Sequence, residues 1–252
     1  MGRFDSTVAF YERARQPYGN AFFATVARSL GFDGSQRLLD LGTGPGLLAL
    51  GFAPFVGEVI GVDPEPAMIA AARGAADRAG VRLRLVEGRA EILPANFGVF
   101  DVVTIGRALH WMEPEGARAA LDQIVATHGQ ILICRAASAT DDRNPWLPTY
   151  DATRKRWTEE SGADRYGRDP EAFFAGTRFR RGGTISVESE QRIPVERLID
   201  RVLSMSSSSP ELLGNDIQRM RAALREALEP FAADGLIDEI VEARAVVFGS
   251  RQ

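Results

Sequence analysis

"RLLDLGTGPGLLAL" (residues 37–50) sets an apolar run directly before three glycines at alternate positions. The run stops at Asp40 and breaks at Gly42, Gly44 and Gly46, which reads as a buried strand ending in a tight turn. Glycine adopts backbone angles closed to other residues and lets backbone N–H groups come close to a ligand. The dinucleotide fingerprint G-x-G-x-x-G, started at Gly42, needs glycine at position 47, where this chain has leucine. A phosphate-binding P-loop is excluded as well, because no Gly-Lys-Ser/Thr follows the turn. What the turn makes room for has to come from its context.

Outward from that turn the chain keeps a regular rhythm. "SQRLLDLG", "GEVIGVD", "VRLRLVEG", "FDVVTIG" and "GQILICR" are short runs rich in Val, Ile and Leu, each bounded by Gly, Asp or a charged residue. Continuous apolar runs point to strands buried on both faces, as in a parallel sheet. Helical patterns lie between them at 46–55, 65–79 and 114–127, with Pro64 and Pro66 suited to a helix start. Strand alternating with helix predicts an open, doubly wound α/β sheet. Ligands of such sheets sit beyond the carboxyl ends of the strands, where strand order reverses. Asp63 ends the second run, 21 positions beyond Gly42, and a carboxylate there accepts ribose hydroxyls or caps the next helix.

From about residue 137 the pattern changes to polar, proline-punctuated sequence, read as helices and loops inserted after the fifth strand. Residues 178–194 suit a further strand. Helical patterns follow at 195–205 and 210–232, separated by "SSSSP", and "RAVVFGS" reads as a closing strand.

The 252 residues are 45% hydrophobic and 25% charged, enough to fill a sizeable core. A net charge of −4 argues against a general nucleic-acid or membrane-surface binder, which needs a basic face. Cys134 is the single cysteine, so no intrachain disulfide forms and a reducing, cytoplasmic setting is expected. No run approaches the ~18 apolar residues of a membrane span, and no signal peptide is expected. No Cys/His cluster has metal-ligand spacing, and no nucleophile elbow is present. Nothing in the sequence bears on oligomeric state.

"LLDLGTGPG", "GVDPEPAMI", "GRAEILP" and "FDVVTIGRALHW", in this order, resemble the class I S-adenosylmethionine-dependent methyltransferases. More narrowly they are similar to the type 11 branch with A-x-H-W after its fourth strand, as in trans-aconitate methyltransferase-like enzymes. The resemblance covers about residues 8–136. It implies a seven-stranded, mostly parallel sheet with helices on both faces, an antiparallel last strand and a helical cap. The chain is then one domain, 1–252, with a cofactor-binding core at 1–136 and substrate-side cap insertions at 137–177 and 194–232.

For the site, the resemblance implies that Asp40, Gly42, Thr43, Gly44 and Gly46 wrap the methionine part of S-adenosyl-L-methionine. Asp63 would bind ribose, with Pro64 and Met68 against the adenine and Ala90 and Glu91 edging it. Relatives often carry Asp where this chain has Arg89, so the contact to the adenine amine falls to Glu91 or to backbone. Arg107, His110 and Trp111 would face cofactor and substrate, and Tyr11, Arg15 and Tyr18 would belong to a segment folded over the cofactor, Tyr18 on its substrate side.

The implied chemistry is in-line methyl transfer to a small molecule, for which holding the acceptor ~3 Å from the methyl group supplies most of the rate. A carboxylate acceptor is already ionised near neutral pH, whereas a hydroxyl or acidic carbon needs a base. His110 is the candidate catalytic base, or it positions the substrate without moving a proton. Trp111 walls the site through cation–π contact or is a core aromatic. His128 reads as the C-terminal residue of the helix before strand five. Arg154, Lys155, Arg156 and Trp157 form an anion clamp or a solvated helix face. Two other readings share the turn: a nicotinamide-dependent oxidoreductase, which Leu47 opposes, and a protein that binds the cofactor without catalysis.

Overall fold

The computed structural model describes residues 14–94, 97–158 and 169–250. The five apolar runs become β1 (Arg37–Leu41), β2 (Glu58–Asp63), β3 (Arg84–Glu87), β4 (Phe100–Gly106) and β5 (Val125–Ser138). After them come β6 (Phe179–Pro194) and β7 (Leu236–Ser250). Strand order is β3-β2-β1-β4-β5-β7-β6, with the first six strands parallel and β7 antiparallel. In β1, every residue after Arg37 is buried, and in β2 every residue after Glu58. This is the pattern of strands covered on both faces. The register sets Asp40 beside both Gly61 of β2 and Thr104 of β4.

Parallel neighbours need crossover connections, and helices supply them. α1 (Asn20–Ser29) precedes β1, α2 (Leu47–Phe52) joins β1 to β2, and α3 (Pro66–Ala79) joins β2 to β3. α4 (Pro114–Ile124) leads into β5. From β1 the chain steps outward through β2 to β3, then returns to lay β4 on the other flank of β1. Right-handed crossovers therefore put α2 and α3 on the opposite face from α4. The reversal lies between β1 and β4, so their carboxyl ends, at Leu41 and Gly106, mark the crevice where such sheets bind ligands.

Local chemistry fixes the helix ends. Pro66 opens α3, and Gly80 closes it in a left-handed turn whose N–H reaches the Ala76 and Asp77 carbonyls. The Glu113 carboxylate caps α4 by accepting from the N–H groups of Glu115 and Gly116, and these two bonds hold its carboxyl below the usual carboxylate range. Ala117, Leu121 and Ile124 then form the buried stripe of that helix.

The described residues gather into two compact units. One comprises 18–94, 97–135, 169–187 and 243–250; the other comprises 14–17, 136–158 and 188–242. The core of the first includes Leu39, Ile60, Phe100, Val103 and Ile105. The second adds α5 (Leu147–Arg154), α7 (Val195–Leu203), α8 (Pro210–Leu213) and α9 (Ile217–Leu228), with Trp146, Leu198, Met220 and Leu224 in its core.

Three details correct the sequence reading. α6 (Pro170–Phe174) was grouped by polarity with the insertion at 137–177, yet Phe173 and Phe174 join the core of the first unit beside Phe179 and Phe248. α4 stops at Ile124, and His128 sits exposed in β5. There the ladder slips, Val125 pairing with Phe100 and Gln130 with Val102, so a bulge absorbs the extra residues. β7 begins at Leu236, eight residues before "RAVVFGS", and its burial largely alternates along those residues as an antiparallel strand's does.

Candidate functional site

Gly42, Gly44 and Gly46 all have left-handed backbone, with φ of 67°, 53° and 87°. Each has a separate reason. A Cβ on Gly42 would lie 2.4 Å from the Ala108 Cβ, so the turn after β1 and the turn after β4 touch through a contact that only glycine permits. Gly46 starts α2, donating its N–H to the Thr43 carbonyl at 2.9 Å. At Gly44 no described atom lies within 4 Å of where a Cβ would stand, so this backbone faces open space.

Two carboxylates hold the turn. Asp40 is buried; its Oδ2 accepts from the Thr43 hydroxyl and its Oδ1 from the Thr104 hydroxyl, both at 2.7 Å. Burial outweighs those bonds and pushes the Asp40 carboxyl up to about 6. Asp63 Oδ2 accepts from the Gly44 N–H at 2.8 Å, and Oδ1 accepts from the Glu65 N–H at 3.0 Å, at the start of α3. Its carboxyl too is raised by burial, against the pull of the Glu65 and Gly44 bonds. Asp63 thus ties the glycine turn to Glu65, the residue before α3. Thr104 was not singled out from sequence, although a threonine inside "FDVVTIG" signals a hydroxyl that must find a buried partner.

Beyond β4 the chain turns at Arg107, a left-handed residue with φ 56°. Leu109 is buried and anchors a single 3-10 turn, Leu109–Trp111, that leaves His110 and Trp111 half-buried. Their ring centroids are 4.9 Å apart. Tyr18 is buried against Phe22 and Phe23, and the Arg107 guanidinium lies 5.4 Å from the centre of its ring. A Cβ on Gly106 would come within 3.2 Å of the Tyr18 hydroxyl, which places that ring at the end of β4. Met68 is buried on α3 and Pro64 is exposed. Ala90 is buried. Glu91 is already engaged: Oε1 accepts from the Glu113 N–H at 2.7 Å, and Oε2 lies 3.3 Å from Arg89 Nε.

Arg15 belongs to the second unit, where it donates to the Ser204 carbonyl at 2.7 Å. Tyr11 lies outside the described residues. Arg154 is paired with Asp151 at 2.6 Å while Lys155 and Arg156 are exposed, the solvated-face arrangement. Among the described residues, no three His, Cys, Asp or Glu side chains are grouped as a metal ion requires.

Residues 38–128, which contain the glycine turn, Asp63 and the 107–111 turn, match the family model described as "Methyltransferase domain". This segment is a class I methyltransferase domain. An uncharacterized methyltransferase of Bacillus subtilis, YcgJ, is 43% identical over 76 residues, 30% of this chain and 30% of its own length. A ubiquinone biosynthesis O-methyltransferase of Azorhizobium caulinodans is 43% identical over 81 residues, 32% of each chain. These matches span about a third of the relatives' lengths. The structure of a putative type II methyltransferase from Anaeromyxobacter dehalogenans shares the fold, with a TM-score of 0.64 and 21% identity over 94% of this chain and 97% of that one.

A class I methyltransferase domain implies S-adenosylmethionine, and the donor set here suits that group better than a nucleotide. A pyrophosphate on this turn would meet the Asp63 carboxylate, and the Gly44 N–H that would meet a phosphate is given to Asp63. Carboxylates accept from hydroxyls and favour positive charge, and S-adenosylmethionine carries ribose hydroxyls, an ammonium and a sulfonium.

Proposed function

We infer that the chain is a methyltransferase acting on a small-molecule acceptor by in-line displacement. The observation that carries this reading is the open backbone at Gly44 braced by Asp63. S-adenosylmethionine, when bound, supplies a sulfonium methyl group to the acceptor and is left as S-adenosylhomocysteine.

The chain's own part is chiefly placement. Asp63 holds the ribose hydroxyls, and Gly42–Gly46 shape the wall against the methionine part. Met68 and Ala90 flank the adenine, whose amine is met by backbone because Glu91 is committed to Glu113 and Arg89. Arg107, His110, Trp111 and Tyr18 line the acceptor side. His110 takes the acceptor's proton where the acceptor has one to lose, and otherwise positions it. The net charge of −4 and the buried lone Cys134 support a cytoplasmic enzyme of small metabolites rather than of nucleic acid. No helix among the described residues is long and apolar enough to cross a membrane.

Thermal unfolding tests the reading. S-adenosylhomocysteine at about 100 times its dissociation constant stabilises the folded state by about 2.7 kcal/mol, which raises Tm by roughly 5–10 °C. NADH gives no shift. The opposite pattern rejects the methyltransferase reading in favour of an oxidoreductase.

A further inference from the structure

The turn that carries His110 and Trp111 is fastened at both of its ends. At the first, Ala108 packs against Gly42, where a Cβ on the glycine would lie 2.4 Å from the Ala108 Cβ. At the last, the Glu113 N–H donates to Glu91 Oε1 at 2.7 Å. Glu113 directly precedes α4 and follows Trp111 and Met112. The N–H groups at a helix start have no partner within the helix. Here the Glu113 carboxylate accepts from Glu115 and Gly116, and Pro114 has no N–H to give. Glu91 takes the one that remains, the N–H of Glu113 itself.

A tight turn places Glu91 for this. The Ile92 N–H donates to the Arg89 carbonyl at 3.1 Å, which leaves Ala90 and Glu91 at the corner. Ala90 is buried in the core that also holds Leu109, Met112 and Ala117. The Glu91 stem runs against α4: a Cβ on Gly116 would stand 3.1 Å from the Glu91 Cβ and 3.2 Å from its Cγ. The side chain is 13% exposed, against 61% for Arg89 beside it. A carboxylate packed along its stem and bonded to a main-chain donor acts as a strut between two loops.

The two loops serve different ends of the site. On the methyltransferase reading, on which this inference rests, Ala90 edges the adenine and the 107–111 turn faces the acceptor. We propose that Glu91 is a positioning residue that ties the adenine loop to the acceptor-side turn, so that seating the cofactor orders His110 and Trp111 for the acceptor. Binding at the adenine then appears as order at the reacting end, a coupling carried by one side chain. Firm placement of the acceptor-side groups is what the methyl transfer needs from the protein.

The test follows backbone hydrogen exchange of the full chain by mass spectrometry, with and without S-adenosylhomocysteine, alongside calorimetry. In wild type, S-adenosylhomocysteine slows exchange across 108–116 by about tenfold or more. Glu91→Gln keeps an oxygen for the Glu113 N–H and keeps that slowing. Glu91→Ala cuts it to about threefold or less, while the segments around Gly44 and Asp63 are still protected and affinity falls by less than about tenfold. Glu91→Asp keeps the charge without the reach; it matches the alanine variant and replaces it should that chain not fold. Slowing across 108–116 that survives in both short variants overturns the proposal, because the cofactor then orders the turn by touching it and Glu91 only completes the start of α4. An absence of slowing in wild type overturns it too. Equal loss in Glu91→Gln gives the role to the pair with Arg89 and rejects the strut. A loss of affinity of about tenfold or more in Glu91→Ala makes Glu91 a cofactor ligand, which also overturns the proposal. A wild-type chain that binds no S-adenosylhomocysteine removes the methyltransferase reading itself, a result distinct from all of these.

Discussion

Asp63 and Gly44 are joined by a hydrogen bond of 2.8 Å, the glycine N–H donating to the carboxylate across 19 positions of sequence. The same carboxylate accepts the Glu65 N–H, so one side chain ties the turn after β1 to the helix after β2. Hydrogen bonds to a charged group contribute roughly 1.5–3 kcal/mol each, enough for the carboxylate to shape the turn before any ligand arrives. Asp63→Ala is expected to weaken S-adenosylhomocysteine binding by about tenfold to a hundredfold, corresponding to roughly 1.4–2.8 kcal/mol, with a native circular dichroism spectrum. Unchanged affinity by calorimetry contradicts the ribose assignment.

Gly42 and Gly44 separate two uses of left-handed backbone. Alanine at either position bears a left-handed penalty of roughly 1–2 kcal/mol. At position 42 the methyl also drives into the Ala108 Cβ, adding about 1–3 kcal/mol of overpacking. At position 44 the methyl enters open space where the cofactor is assigned. Gly42→Ala should therefore lose more stability in denaturant melts, and Gly44→Ala should lose more cofactor affinity than its small drop in stability explains. Equal stability losses in the two variants count against the close approach at Ala108.

The first five strands and the glycine turn were legible because local sequence determines them: apolar runs of strand length, glycine where φ is positive, proline at a helix start. The braces were not, because they form between residues distant in sequence. Thr104 reaches Asp40 across 64 positions, and sequence spacing gives no sign of that meeting. Phe173 and Phe174 sit in a polar neighbourhood, and their burial follows from tertiary packing, helped by the hydrogen bond from Arg118 to the Phe173 carbonyl. In "LIDEIVEA" (236–243) the alternation of a strand was present, but Glu239 falls on its buried face and hides the pattern.

Asp40 gives the pH dependence a definite sign. Its carboxyl is raised from 3.8 to about 6, chiefly by burial, so between those values the folded state keeps a proton that the unfolded chain has released. Stability from this group therefore falls as pH rises through that window and is level above it, by about 3 kcal/mol in all. Asp40→Asn removes the titration. The stability difference between pH 4.5 and pH 7 should shift by more than about 1 kcal/mol between wild type and variant, in the direction of less loss on raising the pH. Parallel pH profiles rule out Asp40 as the titrating group.

His110 presents a half-buried ring beside Trp111 on a turn held by Leu109. His110→Ala is expected to reduce kcat by about tenfold to a thousandfold while S-adenosylhomocysteine affinity stays within threefold, the split of a group acting on the acceptor. If both fall together, His110 supports the cofactor instead.

Arg201 and Glu239 form a buried, bidentate ion pair at 2.7 and 3.0 Å in the second unit. Ser138 and Gln191 donate to the same carboxylate, and Arg201 Nε donates to the Ala14 carbonyl. Burial alone would raise the Glu239 carboxyl, but the Arg201 bonds and charge, with those of Ser138 and Gln191, more than offset it, and the net direction is down. The pair therefore adds stability above the ordinary glutamate range and loses it as acid protonates the folded-state carboxyl. Removing one partner strands the other charge in the interior: Arg201→Met or Glu239→Leu should each cost about 3–5 kcal/mol. The double variant strands neither, so its loss should fall short of the sum by at least about 2 kcal/mol in urea melts. Additive losses would mean that Arg201 acts through Ala14 and Glu239 through Gln191, each on its own, with the ion pair between them contributing nothing.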